Sequence, residues 1–526
     1  MKQRIWTSGL ATVGLVLAGA FPALAQAPVQ GGTAVYVLNQ EPPSVNPDTS
    51  NGVPDKAVGC MIYQGLLQVT TDFEIKPLLA KSWTVSPDGL TYSFELVKAN
   101  WQDGKPLTSE DVKYSLTEVA AKYSPVFAAT GKGIASIETP APDKLTIKLQ
   151  MPSGRFLVSL SCQQGAAVLP SHLLKGSDPR TNAISTSAPV GTGAYKLAEW
   201  KHGDYLRFTK NTDYFEPGKP YLDTVVAKII TQAAARLQAL QAGEVDVVQS
   251  IQVSDMAAVR GNPKLKLELS DFVPGTTFAF FNVSRKPLDD KRVRQALMMA
   301  TDRDYIFKNA YFSVGGVATA PWTKQIKWTA NPDVDYRKMY PFDIAKANAL
   351  LDAAGVKRGA DGKRFTTHVI IWSADYPEFQ QVAVALKSMW QQVGVEVVID
   401  TMERASLVKK VFEDRDFDIS FQVYNSNSDP ALGVARIFVS SSAGKSFGNA
   451  SHYSNPKVDQ LFEQAEAGSN LAERAKAYQE AQAILAEDLP VLTIRETANL
   501  DAATTRLKGL WGIQGSGTWS NAWLEK

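Results

Sequence analysis

The sequence predicts an α/β protein assembled from two or three structural units, and three observations carry that prediction. At 526 residues the chain exceeds what a single hydrophobic core usually organises. Through its second half, strand-like runs alternate with amphipathic helical stripes. No internal repeat or low-complexity linker separates the units, so they must meet at crossover points and be built from discontinuous segments. With 44% hydrophobic and 21% charged residues, the composition is that of an ordinary globular chain.

The N-terminus has its own grammar. Lys2 and Arg4 precede an apolar run over residues 9–20, and Ala23-Leu24-Ala25 supplies a small-x-small cleavage pattern. Together these predict a secretory signal peptide over residues 1–25, leaving Gln26 first. The apolar run, about 11 residues, is too short to span a bilayer. No cysteine lies at the junction, which argues against a lipid anchor. A secreted, freely soluble body in the periplasm is expected. Cleavage removes two of the 55 basic residues and none of the 53 acidic ones, so the mature chain is neutral and offers no electrostatic footprint for nucleic acid. Two cysteines remain, Cys60 and Cys162. An oxidising compartment allows them to pair, a buried thiol is also comfortable in their apolar settings, and spacing alone leaves both outcomes open.

Taken in order, residues 32–38 read as a strand buried on both faces, because apolar residues occupy both alternations. The loop after it carries Asn39 and Glu41 before Pro42-Pro43, a ligand-contact position at a strand's carboxyl end. Asp88-Gly89 marks a hairpin, with Tyr92, Phe94 and Leu96 on one face of the returning strand. Asp103-Gly104 is a second turn. Thr108 with Asp111 predicts a capping box ahead of a helix that buries Val112, Leu116 and Val119. A strand through Leu145, Ile147 and Leu149 follows. Residues 189–196, with Gly191 and Gly193, lack the G-x-x-x-x-G-K-[ST] of a phosphate loop. They read as a return to the first unit, continued by a strand at 222–230 and a helix around 234–240.

Residues 275–306 organise the rest. Thr277 to Asn282 is aromatic and extended, Pro287-Leu288-Asp289-Asp290 ends it and offers a carboxylate cap, and a helix should follow. Val293, Ala296, Leu297 and Ala300 form its apolar stripe, with Arg292 and Arg294 expected to turn away. Beyond it, Asp343 caps a helix that Gly355 stops. A strand ending at Trp372 leads through a loop to a helix with Phe379, Val382, Leu386, Met389, Trp390 and Val393 on one stripe. Strands at 395–399 and 417–423, then helices capped by Asn455 and Asn470, complete the pattern before a last strand after Pro490.

No chemistry-bearing constellation accompanies this frame. His172, His202, His368 and His452 are scattered, and there is no H-E-x-x-H, G-x-S-x-G, C-x-x-C or Walker motif. No catalytic residue, metal ligand or cofactor is therefore assigned. The alternative is a secreted hydrolase whose acid/base site is assembled only in space.

Three segments carry a resemblance. Phe281-Asn282, Pro287 and Asp290-Lys291-Arg292-Val293-Arg294-Gln295-Ala296 resemble the crossover segment of periplasmic solute-binding proteins of the dipeptide, oligopeptide and nickel class, extracellular solute-binding family 5. The block from Leu79-Ala80-Lys81-Ser82-Trp83 through Asp103-Gly104 to Asp111-Val112 is similar to a second signature, and Pro189-Val190-Gly191-Thr192-Gly193-Ala194-Tyr195 to a third. The resemblance implies a two-lobed periplasmic-binding-protein fold, type II with the extra small domain of the peptide-binding class. Residues 26–70, 190–275 and 491–526 would form lobe I, 71–189 the extra α/β domain, and 276–490 lobe II. It further implies a monomer that closes on a small-molecule or peptide-like ligand and delivers it to an ABC permease in the inner membrane.

In that family the binding loop lies here at Tyr424-Asn425-Ser426-Asn427-Ser428-Asp429-Pro430. Peptide-binding members carry an Asp three residues before the acid of the Asp/Glu-Pro pair, where it meets the peptide's ammonium. This chain has Ser426 there, so a sugar, an opine or an aromatic solute gains weight. Asp429 is expected to be structural. Asn425, Ser426 and Asn427 are candidate polar contacts, and Phe278, Phe280, Trp372 and Tyr424 candidate aromatic walls.

Overall fold

The computed structural model describes residues 27–526 apart from 51, 373–375, 427–428, 469 and 513–518. The leader over residues 1–25 and the candidate Asn427 lie outside the described residues. The aromatic stretch before Asn282 is the end of a much longer strand, Leu265–Phe281. It runs antiparallel to a second long strand, Val491–Thr504. The strand passes through Pro274 and Gly275 with a register shift between Ser270 and Gly275, as interior Gly and Pro do at irregularities in a ladder.

This ribbon joins two halves of an eleven-stranded mixed sheet. On the Val491–Thr504 side lie Val247–Val248, Thr33–Leu38, Thr224–Ile229, Tyr205–Lys210 and Tyr195–Lys201, in that order. On the Leu265–Phe281 side lie Ile419–Asn425, Phe365–Ile371 and Val395–Thr401. Thr33–Leu38 pairs in parallel on both sides, which is why it lacks a polar face. A separate four-stranded sheet holds Ala80–Val85, Thr91–Leu96, Lys144–Leu149 and Ile134–Ala141.

Three large cores follow. One packs Phe280, Trp322, Leu386, Trp390, Phe462 and Tyr478. A second gathers Tyr36, Phe208, Leu222 and Trp519, and a third Tyr92, Phe94, Trp101, Val112 and Ile147. Leu169, Leu174 and Ile184, expected in the small unit, pack in the second core instead, because Gln64–Gly65 pairs with Ala167–Val168 and draws that segment across. Val491, Leu492 and Ile494, expected in lobe I, pack in the first core, since their strand is long enough to serve both halves.

Local chemistry follows the sequence closely elsewhere. Asp290 caps the helix Lys291–Met299 through the Arg292 amide, and Asp343 caps Ile344–Ala353 through Lys346. The Thr108/Asp111 capping box is present, with the Thr108 amide donating to Asp111 at 3.0 Å. Arg294 departs from expectation. It is buried, and its guanidinium donates to the carbonyls of Leu288, Asp488 and Leu489. An apolar-stripe reading cannot distinguish an arginine that saturates chain ends from one that faces water. Cys60 and Cys162 form a disulfide, S–S 2.03 Å, tying the helix Val53–Ile62 to the turn at Cys162–Gln164. Closing a separation of 102 residues contributes about 4–5 kcal/mol on the chain-entropy model.

His452 has left-handed backbone geometry, φ 61°, and its buried Nε2 has no partner among the described residues. Burial, with the nearby Arg415 and Arg285 charges, holds its pKa down at about 4 against an ordinary 6.5. The unfolded chain therefore takes up this proton first, and stability is lost as pH falls from about 6.5 toward about 4. Asn tolerates the same backbone region. The His452→Asn variant is expected to show a flatter urea midpoint over that pH window than the parent, measured by urea titrations at half-unit intervals.

Candidate functional site

Strands Phe365–Ile371 and Ile419–Asn425 run parallel with Ile370 opposite Ser420, while Thr276, Phe278 and Phe280 lie opposite Tyr424, Gln422 and Ser420. Paired residues share a sheet face and side chains alternate. Tyr424, Phe278 and Phe280 therefore stand on one face, and Trp372 follows the strand end, its ring 5.4 Å from that of Tyr376. Phe278 and Phe280 have no exposed surface, so they are not walls of an opening. They back the Tyr424 ring, at centroid distances of 6.1 and 5.6 Å.

At the carboxyl-end margin of these strands, three buried polar atoms lack hydrogen-bond partners among the described residues: the Tyr424 hydroxyl, the Ser426 hydroxyl and Trp372 Nε1. Each such group costs roughly 1–3 kcal/mol when left unmade. A polar solute that reached them would recover part of that cost. Burial pushes the Tyr424 phenol far up, with a small opposing effect from the Arg436 guanidinium, so it stays a neutral donor. Arg436 lies 5.2 Å from the Tyr424 ring centroid. Arg404 lies 4.8 Å from that of Trp372 and 5.5 Å from that of Phe447.

Asp429 closes the loop, and its carboxylate is fully engaged. It caps the short turn Pro430–Leu432 through the Ala431 amide, takes a 2.6 Å ion pair from Arg474, and accepts from the Tyr478 hydroxyl at 3.2 Å. Arg474 is itself buried and donates onward to the carbonyls of Ala465 at 2.7 Å and Gly154 at 2.9 Å. Gly154 belongs to the segment after the four-stranded sheet, and its amide donates to the Glu466 carbonyl at 2.7 Å. The loop bearing Ser426 is thereby fastened through one guanidinium to a different unit of the molecule.

The remaining candidates lie apart. Asn39 is exposed on the loop after Thr33–Leu38. Glu41 accepts from Trp200 Nε1 at 2.9 Å, His202 Nδ1 at 2.8 Å and the Gly203 amide at 3.2 Å. Desolvation would raise its pKa, but the hydrogen bonds from His202 and Trp200 prevail and hold it below the usual range. Asn425 is exposed and its backbone pairs with Gly275. Sequence reasoning missed Arg404, Arg436 and Arg474. An arginine on a short helix or an amphipathic one carries no local signal of the ring or carboxylate it will meet.

A family model described as bacterial extracellular solute-binding proteins, family 5 Middle, matches residues 74–446. The chain belongs to this family. Family 5 proteins are the solute-binding components of ABC importers. The chain is 28% identical over 495 residues to the oligopeptide-binding protein AppA of Bacillus subtilis, covering 92% of this chain and 89% of that one. The AppA structure in complex with a nonapeptide superposes with a TM-score of 0.68 over 95% of this chain and 100% of that one. The glutathione-binding protein GsiB of Salmonella typhimurium is 28% identical over 530 residues, 98% of each chain. AgaA from A. tumefacien R10, solved with agropinic acid, is 26% identical, with a TM-score of 0.67 over 94% of this chain and 99% of that one. These relatives are binding proteins. Among the described residues, no helix is long and apolar enough to cross a membrane, and no group of three or more His, Cys, Asp or Glu is placed to hold a metal ion.

Two substitutions test the fastening of the loop that carries Ser426 and Asp429. Arg474→Met leaves Asp429 buried and unpaired and should cost about 3–5 kcal/mol in urea unfolding. A Cβ at Gly154 would collide with Arg474 Nε, so Gly154→Ala should cost about 1–3 kcal/mol. The two losses should be less than additive, because both act on one contact.

Proposed function

We propose that this protein captures an intact organic solute between its two lobes in the periplasm and hands it, as a monomer, to the permease of an ABC importer. Solute contacts made with both lobes favour the closed arrangement, and closure removes water from the polar groups that hold the solute. No covalent step is needed. The segment at residues 1–25 fits export, being basic, then apolar, then small at Ala23 and Ala25.

The observation that carries the reading of the ligand is the loop's charge. Ser426 stands where a peptide-binding loop would carry an acid, its hydroxyl is buried and unpartnered, and the nearby Asp429 carboxylate is neutralised by Arg474. An ammonium would find no free carboxylate on this loop. A charge-assisted hydrogen bond is worth roughly 1.5–3 kcal/mol, and a serine hydroxyl does not replace it. AppA and GsiB are named for an oligopeptide and glutathione, and AgaA was solved with agropinic acid, so the relatives span peptide-like and other organic solutes. Within that range, the Ser426 loop favours solutes recognised by something other than a free α-amine.

Titration calorimetry with matched peptides tests this. N-acetylated and free-amine forms are expected to bind within about threefold of each other, and Ser426→Asp should tilt the balance toward the free amine. A preference of the parent protein for the free amine of tenfold or more would overturn the ligand reading. Conversion of a bound solute into products would overturn the binding function itself.

A further inference from the structure

We infer that the molecule carries a second binding site, a groove between two helices that takes a neutral oligosaccharide. The helices are Arg303–Asn309 and Glu378–Gln391. Each buries one face in the core that holds Trp322, through Ile306 on the first and through Phe379, Val382, Leu386 and Trp390 on the second. Between them lies a cavity of about 730 Å³, lined also by Phe342. Small-molecule pockets span about 300–1,000 Å³, so this one has the size of a ligand site. Its floor at Ile306, Ala310 and Met389 belongs to the packed core, and the groove is therefore preformed. It shares no residue with the strand-end margin around Tyr424 and Ser426, so the inference stands apart from the reading of the solute.

Two features of the lining name the ligand class. The first is apolar surface left facing water. Tyr305, Phe342 and Val384 are 52%, 48% and 52% exposed, three of the nine large apolar side chains exposed among the described residues, and all three border this one cavity. Scattered singly such residues need no partner, but gathered they mark a contact surface. The second feature is the kind of polar group beside them. Gln380, Gln381 and Gln392 bring carboxamides that make no hydrogen bond among the described residues. No Lys, Arg or Glu lines the groove among the described residues, and Asp302, the acid that does, accepts from the Tyr305 amide at 2.9 Å as a helix cap. An ionic ligand would therefore leave its charge without a counterpart. A carboxamide both donates and accepts, as a sugar hydroxyl does, and pairing the two strips water from no charge. The C–H face of a pyranose needs an apolar platform, which the exposed rings of Tyr305 and Phe342 offer.

The experiment uses the full mature protein, with calorimetry and saturation-transfer NMR. The neutral probes are triacetylchitotriose and maltotriose. The charged ones are the deacetylated, cationic chitotriose and the anionic trigalacturonate. A neutral trisaccharide is expected to bind saturably, with the charged pair at least about fivefold weaker. Tyr305→Ser with Phe342→Ser should weaken that binding at least about tenfold while leaving the melting temperature in place, since both side chains are exposed. Val384→Glu, which sets a charge in the groove, should act likewise and decides the matter if the double serine variant does not fold. Binding that survives these substitutions lies elsewhere on the molecule and overturns the assignment to the groove. Charged trisaccharides bound as well as neutral ones overturn the ligand class. No binding of either neutral trisaccharide by the parent overturns the proposal, and solute capture is untouched by that result.

Discussion

Two long strands, Leu265–Phe281 and Val491–Thr504, paired antiparallel across both halves of the sheet, are the constraint on which the rest depends. At one end of the ribbon, Leu265 and Ala502 pack into a cluster with Val37 and Val248. At the other, Phe280, Phe281, Val491 and Leu492 belong to the core around Trp322 and Trp390. Everything that positions the candidate site is indexed from it. Tyr424 takes its place from Thr276, and Trp372 takes its place from the strand beside Tyr424. Moving the ladder by one residue would turn these rings to the opposite face.

A second constraint is electrostatic. A buried ion pair contributes little net stability, because desolvation offsets much of the attraction, yet it fixes geometry where several hydrogen bonds converge. Asp429 and Arg474 are such a case, with Tyr478, Ala465 and Gly154 completing the arginine's and aspartate's partners. This carboxylate is consumed in holding the loop, and no other residue of the loop over 424–430 carries a charge.

Much of the frame was legible before any coordinates, for identifiable reasons. Caps at Asp290, Asp343, Asn455 and Asn470 announce themselves because short polar side chains satisfy helix-end amides locally. The stripe from Phe379 to Trp390 was readable because burial on a helix has a period. What could not be read was set by contacts remote in sequence. Arg294 looked solvent-facing, although the carbonyls it reaches at Asp488 and Leu489 lie nearly two hundred residues away. Phe278 and Phe280 looked like wall residues because aromaticity marks a strand end, while their complete burial depends on what packs above them. The loop and Tyr424 were singled out through the resemblance to family 5. Arg404, Arg436 and Arg474 were not, since nothing near them in the chain specifies an aromatic or acidic neighbour.

The ribbon also sets a timetable for synthesis. Ala503, Leu507, Trp519 and Leu524 pack into the core that begins with Ala34 and Tyr36, so the first lobe is completed by the last part of the chain. A growing polypeptide can gather most of the second lobe from one continuous stretch, while the first stays open until its far end arrives. Closure of the first lobe therefore waits on the residues that leave the ribosome last.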